Sequence, residues 1–126
     1  MPTLKLTLLP ETLAICRLDP SSPIPKWATD AKFFSLTRTH GELSLVCPDE
    51  MVPTGVRAER NWRALRVAGT LDFALTGVLA SLANPLAEAG ISIFAISTFD
   101  TDYLLVKSAD LTRATEALKT RGFETN

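Results

Sequence analysis

The chain has 126 residues, 13 Lys and Arg against 14 Asp and Glu, a formal net charge of -1 and 46% hydrophobic residues. That length suits one compact domain or two small units, and the balanced charge offers no basic surface for nucleic acid or an anionic membrane. No apolar run nears the roughly 20 residues of a bilayer span, and Met1–Leu9 alternates Leu with Lys and Thr where a signal peptide would be continuously apolar, so a cytoplasmic protein is expected.

Leu4, Leu6 and Leu8 share one face of a short strand that Pro10 should end, and Leu13–Leu18 forms a second. Pro20, Pro23 and Pro25 then break regular structure and leave room for one helical turn around Lys26–Thr29. Phe33–Arg38 and Leu43–Cys47 read as strands joined by Thr39-His40-Gly41-Glu42, with Gly41 supplying the positive φ of a tight turn. Pro48–Asn61 is polar and loop-like, and Trp62–Val67 reads as strand. Cys16 and Cys47 fall in apolar runs without CxxC spacing and read as buried free thiols.

Val78, Leu79, Leu82 and Leu86 recur at helical spacing, with Thr76 as N-cap and Gly90 as the stop. Pro85 should kink or split this helix. Ile91–Ser97 and Tyr103–Lys107 form a hairpin around the polar tip Thr98 to Asp102, and both strands are apolar on both faces, so both sides should be covered. Asp110 can cap a last helix with Leu111, Ala114 and Leu118 inward and Arg113, Glu116 and Lys119 outward. Gly122 ends it, and Phe123–Thr125 suffices only for an edge strand.

Laying Phe33–Glu50 over Ile93–Asp110 at a constant offset of 60 matches Phe34 with Phe94, Leu45 with Leu105 and Val46 with Val106. The second half reads β-α-β-β-α-β, and the first half reads as the same unit with its helices reduced to proline-rich loops. An α+β, ferredoxin-like chain of two tandem copies follows, divided at 1–61 and 62–126.

Leu-Ala-Glu-Ala-Gly-Ile-Ser-Ile at positions 86–93 resembles an ACT domain leaving its first helix. Gly69-Thr70-Leu71-Asp72-Phe73, Leu75-Thr76-Gly77-Val78-Leu79 and Ser97-Thr98-Phe99-Asp100-Thr101-Asp102-Tyr103 resemble, in order, the tandem ACT proteins related to aspartate kinase regulatory domains and the CASTOR arginine sensors. The resemblance implies a regulatory fold that binds a free amino acid at an interface between ACT units, without chemistry.

The residues themselves suit such a ligand. Backbone N–H groups of Gly77, Val78 and Leu79, at a helix start, favour a carboxylate, and Gly77 permits close approach. An α-ammonium needs acceptors, for which Asp72, Asp100 and Asp102 are candidates, while Thr98 and Thr101 add hydroxyls and Thr76 is either a contact or only a cap. Phe99, an aromatic at the tip, reads as a ligand contact. His40 is the single histidine, and no GxGxxG or GxxxxGK[ST] occurs, so a histidine zinc site, a Ser-His-Asp triad or a nucleotide loop lacks its material. Arg57, Arg60, Arg63 and Arg66 recur every three residues and read as a solvated face. The expectation is a non-enzymatic amino-acid sensor, homodimeric because the doubly apolar hairpin needs cover, with no cofactor. A structural or partner-binding module without a ligand is the other reading.

Overall fold

The computed structural model describes residues 5–67 and 77–126. It divides into two compact units, Glu11–Trp62 and a second built from Met1–Pro10 with Arg63–Asn126. Both boundaries fall inside long strands, β1 (Lys5–Leu18) and β4 (Ala58–Val67). Among the described residues no helix is long and apolar enough to cross a membrane.

In the unit Glu11–Trp62, β1 is followed by the one-turn helix α1 (Lys26–Thr29), β2 (Ser35–Arg38), β3 (Leu43–Pro48), a 3-10 turn (Asp49–Met51) and the first half of β4. The order β2-β3-β1-β4 places the first and third strands of the unit at its centre, which is the split βαβ arrangement with its helices reduced, as expected. β3 runs antiparallel to β1, from Leu13↔Pro48 to Leu18↔Leu43. Ala14, Cys16, Ala28, Leu43, Leu45, Cys47 and Val52 form its core.

The other unit takes the second half of β4, then α2 (Val78–Glu88), β5 (Ile93–Ser97), β6 (Asp102–Lys107), a 3-10 turn (Ser108–Asp110), α3 (Leu111–Lys119) and β7 (Glu124–Thr125). Its strands run β4-β6-β5. The start of β1 pairs in parallel with β7 through Lys5↔Glu124 and Leu6↔Thr125. Leu65, Val67, Leu82, Leu86, Leu104, Val106, Ala114 and Leu118 fill the space between sheet and helices. The expected inward face of α3 is confirmed, with Ala114 and Leu118 buried and Arg113, Glu116 and Lys119 exposed.

Several local expectations need correction. Pro10 does not end a strand: β1 is continuous over 14 residues, with Pro10 lying between the stretch paired with β7 and the stretch paired with β3. β4 begins at Ala58, inside the expected loop, and passes through Asn61 at φ 65. Pro85 does not split α2, which is continuous from Val78 to Glu88 with Pro85 buried in it. Ile91 N donates to Leu86 O at 2.9 Å and Gly90 N to Ala87 O at 3.0 Å, closing that helix at Gly90 as anticipated. Asp110 stands at the N-cap of α3 without a capping bond and instead pairs with Arg113 at 3.2 Å. Arg60 is no solvated side chain: its guanidinium donates to Asp49 Oδ1 at 2.6 Å and to Val52 O at 3.1 Å, and Asp49 Oδ2 accepts from Asn61 N.

The two hairpins repeat, with one change of register. Pairing runs Ser35↔Val46 to Arg38↔Leu43 in one and Ile93↔Val106 to Ser97↔Asp102 in the other. Thr98 therefore answers to Thr39, Asp102 to Leu43 and Ser108 to Asp49, an offset of 59 where the residues alone suggested 60. The turns confirm it: Thr39 N donates to Glu42 O at 2.9 Å, and Thr98 N to Thr101 O at 2.8 Å. Gly41 does not adopt a positive φ. The turn is closed by the Thr39 hydroxyl, which accepts from Gly41 N and Glu42 N at 3.1 and 3.2 Å.

Candidate functional site

The tip of the β5–β6 hairpin holds five of the expected site residues, and the structure separates their roles. Thr98 Oγ1 accepts from Thr101 N at 3.2 Å and donates to Thr101 O at 3.1 Å, so this hydroxyl shapes the turn. Thr101 Oγ1 donates to Val67 O at 2.9 Å. Among the described residues Thr101 alone is a buried polar residue, 3% exposed, and its hydroxyl proton is committed to Val67 O. Asp102 Oδ1 accepts from Ser97 Oγ at 2.6 Å across the last pair of the ladder. A carboxylate has about four lone-pair positions, so this single bond fixes Asp102 and leaves acceptor capacity. Phe99 is 79% exposed and Asp100 is exposed beside it.

Ser97 and the Val67 carbonyl take part in the bonds around the tip and were missed from the residues alone. Counting pairs outward from the turn would have found Ser97 opposite Asp102. Val67 has no such local signal.

The second group of expected residues opens α2. Gly77 precedes the helix at φ 82, in the left-handed region that a side chain disfavours, and a Cβ built there would meet nothing within 4 Å. Ser81 N donates to Gly77 O at 2.9 Å, beginning the helical ladder. Val78 and Leu79 pack their side chains partly against the core, so what they offer a ligand is the backbone N–H. Asp72 and Thr76 lie outside the described residues. The Thr101–Val67 bond sets the hairpin tip at the carboxyl end of β4, the strand from which the chain proceeds toward Gly77.

Other places carry less chemistry. A cleft of about 620 Å³ lies between Leu8, Phe123 and the polar Thr115, Glu116, Lys119 and Glu124, and it shares no residue with the tip or the helix start. Among the described residues no cluster of three or more His, Cys, Asp or Glu could hold a metal ion. Cys16 and Cys47 are free and buried, as anticipated. The Cys47 thiol donating toward Cys16 lowers the pKa of Cys16, and the same contact, with burial, pushes Cys47 up.

A sequence model of the ACT domain matches residues 57–120, and a separate N-terminal domain model matches residues 11–55. The human cytosolic arginine sensor for mTORC1 subunit 1 is 34% identical over 110 residues, covering 80% of this chain and 32% of its own length. The chain spans less than two thirds of the length of that relative and of human CASTOR3P. The crystal structure of protein Atu0741 from Agrobacterium tumefaciens superposes with a TM-score of 0.94 at 40% identity, covering 100% of this chain and 94% of that one. The regulatory subunit of aspartate kinase from Thermus thermophilus shares the fold, with a TM-score of 0.67 at 10% identity over 95% of this chain and 99% of its own. The βαββαβ order, the hairpin tip and the glycine-led helix thus coincide with a sequence match over half the chain, and the chain belongs to the ACT domain family.

Proposed function

We propose that the chain is a non-enzymatic regulatory protein that binds a free amino acid and acts as a small-molecule sensor. The observation that carries this reading is the hairpin tip: an exposed Phe99 and Asp100 stand beside an Asp102 already oriented by Ser97. In this reading the N–H groups of Gly77, Val78 and Leu79 take the ligand carboxylate, helped by the helix dipole. Asp102, with Asp100 and Asp72, takes the ammonium. Thr98 and Phe99 shape the wall, and Thr76 flanks the helix start. The likeness to an arginine sensor supports an amino acid as the ligand class. The site works as a homodimer in the cytoplasm. Support for the dimer comes from β5, the outermost strand of its unit, where Ile93, Phe94 and Ile96 are only half-buried and Ala95 is exposed. Isothermal titration with each of the twenty standard L-amino acids tests the reading. One or two should give saturable heat at micromolar concentration, and silence from all of them rejects it in favour of an ACT scaffold that binds only protein partners.

A further inference from the structure

We propose that Thr101 is a positioning residue of the amino-acid site, whose hydroxyl locks the β5–β6 tip to the carboxyl end of β4 without touching the ligand. The inference deepens the sensing reading above and rests on it for the ligand. Its structural half stands on the comparison of two hairpins within one chain. Both turns are closed in the same way, by Thr39 and by Thr98. They differ at the fourth turn position, which is the half-buried Glu42 in one and the buried Thr101 in the other.

The means of fastening is also reversed. The first turn is held from outside, by Arg17 Nη2 donating to Gly41 O at 2.8 Å, a bond between exposed groups on a long and adaptable side chain. The second is held from within, by a short hydroxyl donating 2.9 Å to Val67 O in a buried setting. A threonine hydroxyl has one rotatable bond to its oxygen, so it fixes the separation of its two anchors far more tightly than an arginine does. A tether this stiff is not needed to close the turn, because Thr98 already does so. Its effect is to set the distance between the tip, with Phe99, Asp100 and Asp102, and the strand end from which the chain reaches Gly77. Asp100 and Asp102 can meet an ammonium only if the tip that carries them is held in place, since a mismatch of about 1 Å is enough to lose most of a polar contact.

The test uses Thr101→Val, which keeps shape and removes the hydroxyl, and Thr101→Ser, which restores it. Under conditions where all three proteins are fully folded, the amino acid bound best by the wild type should bind Thr101→Val at least tenfold more weakly and Thr101→Ser within about threefold. Equal affinity in Thr101→Val overturns the assignment. A second readout needs no ligand: amide hydrogen exchange at Thr98, whose N–H donates to Thr101 O, should quicken at least tenfold in Thr101→Val while Thr39, whose N–H donates to Glu42 O in the twin turn, keeps its rate. Unchanged exchange at the tip overturns the lock. Failure of the wild type to bind any of the twenty amino acids removes the sensing reading, and exchange alone then decides whether Thr101 is a lock.

Discussion

Replacing Phe99 by alanine separates a ligand contact from a core residue. Phe99 is 79% exposed, so about a fifth of its surface is removed from water on folding. Full burial of a phenylalanine is worth about 1.5–3 kcal/mol, and a fifth of that is about 0.3–0.6 kcal/mol. For a chain of this size the melting temperature should fall by only about 2 °C. A ligand covering half of the ring would bring roughly 1 kcal/mol of the same term into play, so affinity should fall about five- to tenfold. Thermal unfolding followed by circular dichroism, paired with titration calorimetry on the same preparation, reads both quantities. A melting temperature lowered by 8 °C or more would show that the ring is packed against the fold. Unchanged affinity for the bound amino acid would remove Phe99 from the site, and either result refutes the reasoning.

Leu105 is fully buried on the face of β6 opposite Leu104 and Val106, and Leu105→Ala should cost about 2–5 kcal/mol in urea unfolding; a loss under 1 kcal/mol would mean the site collapses without penalty. Asp49→Ala removes the partner of Arg60 and of the Asn61 amide, and with the guanidinium still bonded to Val52 O the loss should be about 1–2 kcal/mol, read as a lower urea midpoint. Cys16 and Cys47 should both resist a thiol reagent at neutral pH until the chain unfolds, and Cys16, whose pKa is lowered by its neighbour, should react first as pH rises; prompt labelling of Cys47 in the native protein would contradict the burial.

Periodicity exposed most of the architecture, since Val78, Leu79, Leu82 and Leu86 or Leu111, Ala114 and Leu118 recur at the mixed three- and four-residue spacing of a helix. It failed where the pattern was uninformative. In β6 three consecutive residues, Leu104, Leu105 and Val106, are all buried, so sliding one hairpin over the other by one position still matches apolar with apolar. That degeneracy hid the offset of 59 until the ladder pairs were known. The continuity of β1 through Pro10 depends on which strands flank it, which no local window records. The site divides along the same line. Gly77 and the acidic tip are visible as residue types, whereas the bond from Thr101 to Val67 spans 34 positions and exists only in the folded chain. For this reason Thr101 read only as one of the tip hydroxyls, with nothing local to mark its bond to the strand end.

Backbone amide shifts recorded by nuclear magnetic resonance during addition of the amino acid with the strongest calorimetric response test the central claim most directly. The largest changes should fall together on Gly77, Val78 and Leu79 and on Thr98 to Asp102. Changes confined to one of these groups, or centred on the cleft by Lys119, Phe123 and Glu124, would contradict it.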